Sequence, residues 1–410
     1  MTTPASKNYT RRWLAGIAAS HVLLLALLIG GSLGQLSFEM SFQPGRPTTI
    51  QIFVEGVRGA LAGRGLYDAR ALPPAFGPYD AMASRATPLE IALLGAPFAP
   101  LPDGGRFPAW LLVNELALLL AARLIWRRVA HRGAALAFLS AWALGTPYLV
   151  SLGVESPQSL AALGLLSAAC LEGRGGAAAY AALIALRPFF LGLLFQLIRL
   201  RRWPYMLGAA AAIAASALLL ALHPDDVMSY LTRHPYGESY PGNLGLQAFL
   251  FSALRNLVPD RPLSIPIAGR VIYDLNILTL ILMRLAVFAL VGLAALLSWR
   301  ARRSDQIGAV VALWACTWVA TGVDVGEADF LLVIAGAAAL AARGAGGWVL
   351  PAAALWLALP TPYALLPTGG IESWSPEFGW TAAQALALHG FKLVPAAAIY
   401  VLAAKRCYRA

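Results

Sequence analysis

Charged residues are scarce in this chain, and their scarcity indicates the class of protein. Only 12% of the 410 residues are Asp, Glu, Lys or Arg, whereas 59% are hydrophobic. The mean hydropathy is accordingly high, at +0.67. An ordinary soluble domain carries about 25% charged residues. The deficit therefore predicts a polytopic membrane protein, because each spanning helix needs about 20 consecutive apolar residues.

Residues that bind metals or form disulfides are also few. The three cysteines, Cys170, Cys316 and Cys407, have no metal or redox spacing, and the five histidines are scattered. The chain contains no GxxxxGK[ST] phosphate loop, no GxGxxG after a strand and no HExxH. These absences argue against a disulfide framework, nucleotide-dependent chemistry and a zinc hydrolase. No cofactor and no metal ion are predicted.

The net charge of +11 would, in a soluble protein, be typical of nucleic-acid binding. Here the basic residues lie in short clusters between apolar runs, which is the pattern of cytoplasmic membrane loops. Applied along the chain, this rule predicts about twelve membrane segments in a single domain, residues 1–410, with both termini cytoplasmic. We therefore expect membrane lipid, and no nucleic acid, among the partners, and localisation in the cell inner (plasma) membrane.

Two long loops are predicted on the outer side, at residues 35–107 and 223–270. In the first loop, one apolar face of a helically spaced run comprises Ile50, Phe53, Val54, Val57 and Leu61. Glycines follow this run, so we expect an amphipathic helix that lies on a membrane or on other helices. A second apolar stretch, at 88–100, is too short to span a bilayer.

The Arg187-Pro188 pair interrupts a long apolar run at residues 175–198. Proline removes a backbone donor and disfavours helix in the residue before it. We therefore predict two short helices, at 177–186 and 189–198, with the Arg-Pro tip toward the outer side. Because arginine binds phosphate bidentately, Arg187 is a candidate phosphate ligand. The alternative is an arginine that only snorkels to the interface.

Other polar residues favour structural roles. Glu115 and Arg284 lie inside apolar spans, where charges are costly and usually paired or functional, and we expect them to pair with each other. His21 lies on an apolar helix and is expected to be packed or hydrogen-bonded. A solvated helix end, rather than a cation site, is expected for the outer acidic cluster of Asp324, Glu327 and Asp329.

Several short motifs occur in an order that resembles one family. They are ALAGRGLYD (60–68), ATPL (86–89), FAPLP (98–102), GVES (153–156), Arg187-Pro188 followed by RLRRW, and YPGNL (240–244). This order resembles the GT-C superfamily of polyprenyl-phosphate-sugar-dependent glycosyltransferases. Within it, the chain is most similar to glycosyltransferase family 87, which includes bacterial polyprenyl-phosphate-mannose-dependent mannosyltransferases. The resemblance covers most of residues 10–300.

The resemblance implies an all-α, GT-C-like bundle that works as an inverting hexosyltransferase. It would move a hexose such as mannose from a polyprenyl-phosphate donor to a lipid or glycan acceptor on the outer face of the inner membrane. The family places an acidic residue, the presumed catalytic base, near the start of the first-loop helix. Here that position is Thr49, and a threonine cannot be a general base at neutral pH. The candidate bases are the first-loop acids, Glu39, Asp80 and Glu55, with Glu39 preferred.

Binding roles follow from position and from the same resemblance. The donor phosphate is expected on three arginines, Arg187, Arg270 and Arg233. The sugar and the acceptor are expected on Glu155, Tyr236, Tyr240 and Asn243. Glu155 lies where the family often has a Gly-Gln-x-Asn element, from which this chain departs. The tyrosines are equally consistent with an interfacial aromatic belt.

Two other functions remain open. A transporter or flippase of lipid-linked or small polar substrates would have polar residues along a path and two similar halves, and the chain has few such residues. A catalytically inactive GT-C-like scaffold is the second alternative, because of Thr49. Convergence of Glu39, Asp80 and Arg187 on one outer cavity would favour the enzyme.

Overall fold

The structure, a computed structural model, describes a mainly helical chain. The described residues are 4–33, 48–67, 86–224, 226–227, 244–247, 249–250, 263–267, 270–275, 277–322, 325–362 and 382–408. Up to residue 222 the helices are α1 (Pro4–Ile29), α2 (Thr49–Leu61), α3 (Pro88–Gly95), α4 (Asp103–Arg128), α5 (Arg132–Ala143), α6 (Thr146–Gly153), α7 (Gln158–Cys170), α8 (Gly173–Leu186), α9 (Leu194–Arg199) and α10 (Trp203–Leu222). A 3-10 helix, Pro188–Leu193, precedes α9.

The second half continues with two strands and further helices. These are β1 (Leu263–Ile267), β2 (Arg270–Leu275), α11 (Ile277–Arg300), α12 (Ile307–Thr321), α13 (Phe330–Ala341), α14 (Val349–Ala358) and α15 (Ala382–Tyr408), with 3-10 turns at Ser304–Gln306 and Glu327–Asp329. The strands form an antiparallel hairpin in which Leu263 pairs with Leu275. The sequence predicts a loop over 223–270 and a membrane span from 272. The hairpin was therefore not predicted. Its Val-Ile-Tyr run consists of residues that favour strands.

Within the part of the chain that the structure describes, six helical segments are long and apolar enough to cross a membrane. They are Tyr9–Ile29, Asp103–Arg128, Arg132–Gly153, Trp203–Leu222, Ile281–Arg300 and Ala387–Tyr408. The predicted helical membrane protein is thus confirmed, but the count of twelve segments is not. Several predicted spans are shorter helices; α7, for example, has 13 residues. At 1.5 Å per residue such a helix covers about 20 Å of a hydrocarbon core about 30 Å thick.

Short helices form the centre of the bundle. α12 packs against α13 and α15, and α7 packs against α4, α8 and α13. Nearly every side chain of α12 and α13 is buried. A Cβ added at Gly336 would lie 2.9 Å from Ala312 Cα, so the two helices touch through their backbones. Small residues allow this close packing where apolar burial alone gives little driving force.

The predicted first-loop helix is present as α2. Thr48 forms a capping box with Gln51, in which the Thr48 N–H donates to the Gln51 side chain over 2.9 Å. The predicted apolar face is buried and packs on α3, except at one residue. Leu61 is 83% exposed, so the prediction that it lies on the buried face is wrong. It is the last residue of the helix, where the chain turns away through glycines.

The end of this first-loop segment is tied to the residues after α10. The Asp226 carboxylate accepts hydrogen bonds from the backbone N–H groups of Leu66, at 2.7 Å, and Tyr67, at 3.2 Å. Gly65 has φ +95°, and a Cβ added there would lie 2.5 Å from Asp226 Oδ1. Glycine is therefore required at residue 65 both for its backbone conformation and for the approach of the carboxylate.

Gly65→Ala is expected to lower the free energy of unfolding by about 2–4 kcal/mol. About 1–2 kcal/mol comes from the left-handed backbone, and the remainder comes from displacing Asp226 from two buried amides. Gly63→Ala is the matched control, because Gly63 also has a positive φ, +75°, but a Cβ there meets no atom within 4 Å. Thermal unfolding in detergent measures both variants. Equal losses in the two would show that the Asp226 contact contributes nothing.

A polar cluster joins α1, α4 and α6. His21 Nδ1 lies 2.7 Å from the Ala143 carbonyl oxygen, and Nε2 lies 3.0 Å from Glu115 Oε2. The Tyr148 hydroxyl donates to Glu115 Oε1 over 3.0 Å. The hydrogen-bonded role predicted for His21 is confirmed. The predicted partner of Glu115 is wrong, because Glu115 pairs with His21 and Tyr148 rather than with Arg284.

Candidate functional site

Arg187 lies at the predicted helix break, between α8 and the 3-10 helix that begins at Pro188. Its Nη1 lies 2.6 Å from Glu90 Oε1, and the same nitrogen donates to the Leu186 carbonyl over 2.7 Å. The Arg187 side chain is 13% exposed and that of Glu90 only 2%. Within the described part of the chain, Nη2 donates no hydrogen bond. The guanidinium is therefore held through Nη1 and, by Gln158, through Nε, and Nη2 is the nitrogen left to bind a ligand.

Glu90 is positioned by the start of α3. Thr87 and Glu90 form a capping box, in which the Glu90 N–H donates to Thr87 Oγ1 over 2.9 Å. The Thr87 hydroxyl donates to the Ala185 carbonyl over 2.7 Å, which joins α3 to the end of α8 beside Arg187. Burial raises the pKa of the Glu90 carboxyl, and the Arg187 guanidinium opposes that shift. Removing either residue would thus leave the other charge buried without its partner.

Gln158 connects Arg187 to the other half of the chain. Its Oε1 accepts from Arg187 Nε over 3.2 Å, and its amide nitrogen donates to Asp329 Oδ1. Asp329 also accepts from Trp318 Nε1 over 2.8 Å and from the Gly326 N–H over 2.9 Å. We call Glu90, Arg187, Gln158 and Asp329 the Arg187 network. It fixes the direction in which Arg187 points.

Glu155 lies on the turn between α6 and α7, three residues before Gln158. It is 4% exposed, and the Thr48 hydroxyl donates to its Oε2. The Thr49 N–H donates to the Val154 carbonyl over 3.3 Å, so this turn touches the start of α2 twice. Arg106, 5% exposed in the first turn of α4, is the charged group that acts on Glu155, and its Nη2 lies 2.8 Å from Asp103 Oδ1.

The predicted solvated acidic cluster is wrong for the two members within the described residues. Glu327 and Asp329 are 0% and 6% exposed. Glu327 Oε1 lies 2.5 Å from Lys392 Nζ of α15, and the Thr361 hydroxyl donates to Oε2 over 2.5 Å. Partners remote in sequence bury these acids, because Lys392 of α15 pairs with Glu327 and because α6 and the start of α7 pack on the 3-10 turn Glu327–Asp329. Asp324 lies outside the described residues.

The other predicted site residues have separate outcomes. Glu55 lies on α2 and pairs with Arg58 over 2.8 Å, apart from the Arg187 network. Arg270 begins β2, and its side chain is outside the described part. Outside it altogether lie Glu39, Asp80, Arg233, Tyr236, Tyr240 and Asn243. Among described side chains, no three His, Cys, Asp or Glu residues converge as metal ligands would. These residues' roles stay predictions.

Sequence reasoning missed Glu90, Gln158, Arg106 and Lys392. One had a local signal, since Thr-Pro-Leu-Glu at 87–90 is a capping-box pattern that places its glutamate in the first turn of a helix. Nothing in the sequence assigned that glutamate to Arg187, which lies 97 residues away. The other three acquire their roles only from contacts between distant helices.

Comparison with known proteins identifies a sequence family for most of this region. The sequence profile of glycosyltransferase family 87 matches residues 88–325, which is more than half of the chain. The match begins at α3, which carries Glu90, and it includes Arg187, Gln158 and Glu155. No curated protein and no solved structure matches the chain. From the profile match, and from the helical membrane fold, we conclude that the chain belongs to glycosyltransferase family 87.

Proposed function

We propose that this membrane glycosyltransferase moves a hexose, with mannose as the first candidate, from a polyprenyl-phosphate donor to a lipid or glycan acceptor. The reaction takes place on the outer face of the inner membrane, with both termini cytoplasmic. The proposal rests on the hydrogen bonds that orient the Arg187 guanidinium. Glu90 holds Nη1 of its guanidinium and Gln158 holds Nε, and Nη2 donates to no described residue.

A guanidinium held in this way suits a phosphate leaving group. When the bond between the sugar and the phosphate breaks, negative charge grows on the phosphate oxygens. A cation that is already oriented stabilises this charge without further reorganisation. The two N–H groups of Nη2 are the donors left for phosphate oxygens, because Glu90, the Leu186 carbonyl and Gln158 take those of Nη1 and Nε. In this proposal Arg270 and Arg233 supply further phosphate contacts, and Tyr236, Tyr240 and Asn243 contact the sugar or the acceptor.

The surroundings of Arg187 suit a donor with a long apolar tail. The 3-10 helix after it carries Phe189, whose ring lies 5.4 Å from that of Trp314 and 5.3 Å from that of Trp318. The indole N–H of Trp318 donates to Asp329, so this aromatic cluster adjoins the Arg187 network. Aromatic side chains with one polar end are typical of membrane interfaces, where a lipid-linked phosphate resides.

A donor panel tests the proposal. Purified protein in lipid vesicles is given labelled polyprenyl-phosphate mannose, polyprenyl-phosphate glucose or GDP-mannose, and label in lipid and glycan products is counted. We expect transfer from the mannosyl lipid and none from the nucleotide sugar. The Glu90→Gln and Arg187→Gln double variant, which leaves no unpaired buried charge, should lose transfer. Arg199→Ala, which removes an arginine stacked 5.1 Å over Trp299, should keep it. Failure with every lipid-linked sugar would overturn the proposal and favour a transporter or an inactive scaffold.

A further inference from the structure

The turn between α6 and α7 carries a buried carboxylate on a strained backbone position, and the Arg187 network does not use it. Glu155 has φ 53°, in the left-handed region. That conformation costs a side-chain-bearing residue about 1–2 kcal/mol relative to an extended or helical one. Such strain is concentrated at functional sites, where the surrounding structure holds it in place. A glycine at residue 155 would be free of this cost, so the glutamate points to a use for its side chain.

One oxygen of the Glu155 carboxylate is held, and the other is available. Thr48 Oγ1 holds Oε2, while Oε1 accepts no hydrogen bond from any described residue. The bond from the Thr49 N–H to the Val154 carbonyl fixes the backbone just before Glu155. This arrangement suits a general base, because the held oxygen sets the direction of the carboxylate and the other oxygen can receive a proton.

Glu155 is also close to Arg187 along the turn. Three peptide units separate it from Gln158, and they span at most about 11 Å between Cα atoms. Gln158 in turn accepts from Arg187 Nε over 3.2 Å. One short turn therefore carries the carboxylate and positions the phosphate-binding arginine. A sugar with its phosphate on Arg187 could present its anomeric carbon to a hydroxyl that Glu155 holds.

We propose that Glu155 is the general base of the transfer, an inference that rests on the proposed function. Oε1 takes the proton of the acceptor hydroxyl while the hydroxyl oxygen bonds to the anomeric carbon. The bond from that carbon to the phosphate oxygen breaks, and its electron pair leaves with polyprenyl phosphate. The carboxylate beside the start of α2 thus belongs to a turn more than 100 residues later in the chain. Glu155 then takes the role predicted for Glu39, Asp80 or Glu55.

The charged surroundings of Glu155 determine its pH response. Burial raises the pKa of its carboxyl, and the hydrogen bond from Thr48 and the charge of Arg106 oppose that shift. Asp103 pairs with Arg106 and partly offsets its charge. A base works only when ionised, so transfer should fall as the pH drops through a pKa above the usual range of a glutamate.

Glu155→Gln is the decisive variant, because its amide oxygen still accepts from Thr48 but cannot take a proton. We expect transfer from the donor that the wild type uses to fall at least about 100-fold. Affinity for polyprenyl monophosphate and thermal stability should be unchanged, and the residual transfer should lose the acid limb of the pH profile. Glu172→Gln, a glutamate before α8, is the control and should match the wild type.

Three results would overturn the proposal. Transfer that survives in Glu155→Gln but is lost in Glu39→Gln or Asp80→Asn would return the base to the first loop. Residual transfer that keeps the wild-type acid limb would show that Glu155 has only a structural role. A wild type that transfers no lipid-linked sugar would overturn the proposed function itself, and the base assignment with it.

Discussion

Lys392→Met should lower the free energy of unfolding by about 3–5 kcal/mol, because it leaves the Glu327 carboxylate buried without its cation. Both side chains are 0% exposed, and Nζ lies 2.5 Å from Glu327 Oε1. Nζ also donates to the carbonyls of Leu357 and Leu359, at 2.6 and 2.5 Å, at the end of α14. The variant is expected to lose thermal stability in detergent and to accumulate poorly in the membrane.

Two further variants isolate the cause of this loss. Lys392→Met with Glu327→Gln removes both charges, and the Thr361 hydroxyl can still donate to the new amide oxygen, so at least half of the lost stability should return. Lys405→Met changes an exposed lysine on the same helix and should have no measurable effect. A double variant as unstable as the single one would show that the pair is not the reason.

The second large effect is expected on transfer rather than on stability. Removing Arg187 alone leaves Glu90 buried and unpaired, which by itself threatens folding. In Glu90→Gln with Arg187→Gln, both charges are absent and the two amides can hydrogen-bond to each other. We expect this protein to fold, with a melting temperature near that of the wild type. Transfer should fall by about 100-fold or more, since the leaving phosphate loses its cation.

Each outcome of the double variant has a defined meaning. A folded double variant with wild-type transfer would show that the Glu90–Arg187 pair only supports the fold. A double variant that unfolds would show that the neutral pair cannot replace the ion pair between α3 and the end of α8. Transfer measured per folded molecule, from the monodisperse fraction, separates these cases.

Local sequence signals were sufficient for most helices. α12 spans Ile307–Thr321 as the apolar run predicts, and the Arg187-Pro188 break lies where the proline effect places it. The capped amphipathic helix of the first loop also appears, with its buried face. These features depend on residues within a few positions of one another, so the sequence records them directly.

Contacts between distant segments were not accessible in this way. Glu327 and Lys392 are 65 residues apart, and nothing near either residue shows that the other covers it. The same limit explains why the sequence predicts a substrate contact for Glu155 but does not predict its hydrogen bond with Thr48. Burial of an acidic residue depends on where its partner is placed, which periodicity and propensity do not report. The family resemblance supplied the reaction class but not these pairings.

The most direct measurement of the central claim is the affinity of the protein for polyprenyl monophosphate, the expected product. We would titrate a short-chain form into detergent-solubilised wild type and into the Glu90→Gln and Arg187→Gln double variant. If Arg187 holds the phosphate, the double variant should bind at least about 10-fold more weakly, as expected for losing a hydrogen-bonded charge. Equal affinity in two folded proteins would contradict the account and place the phosphate elsewhere.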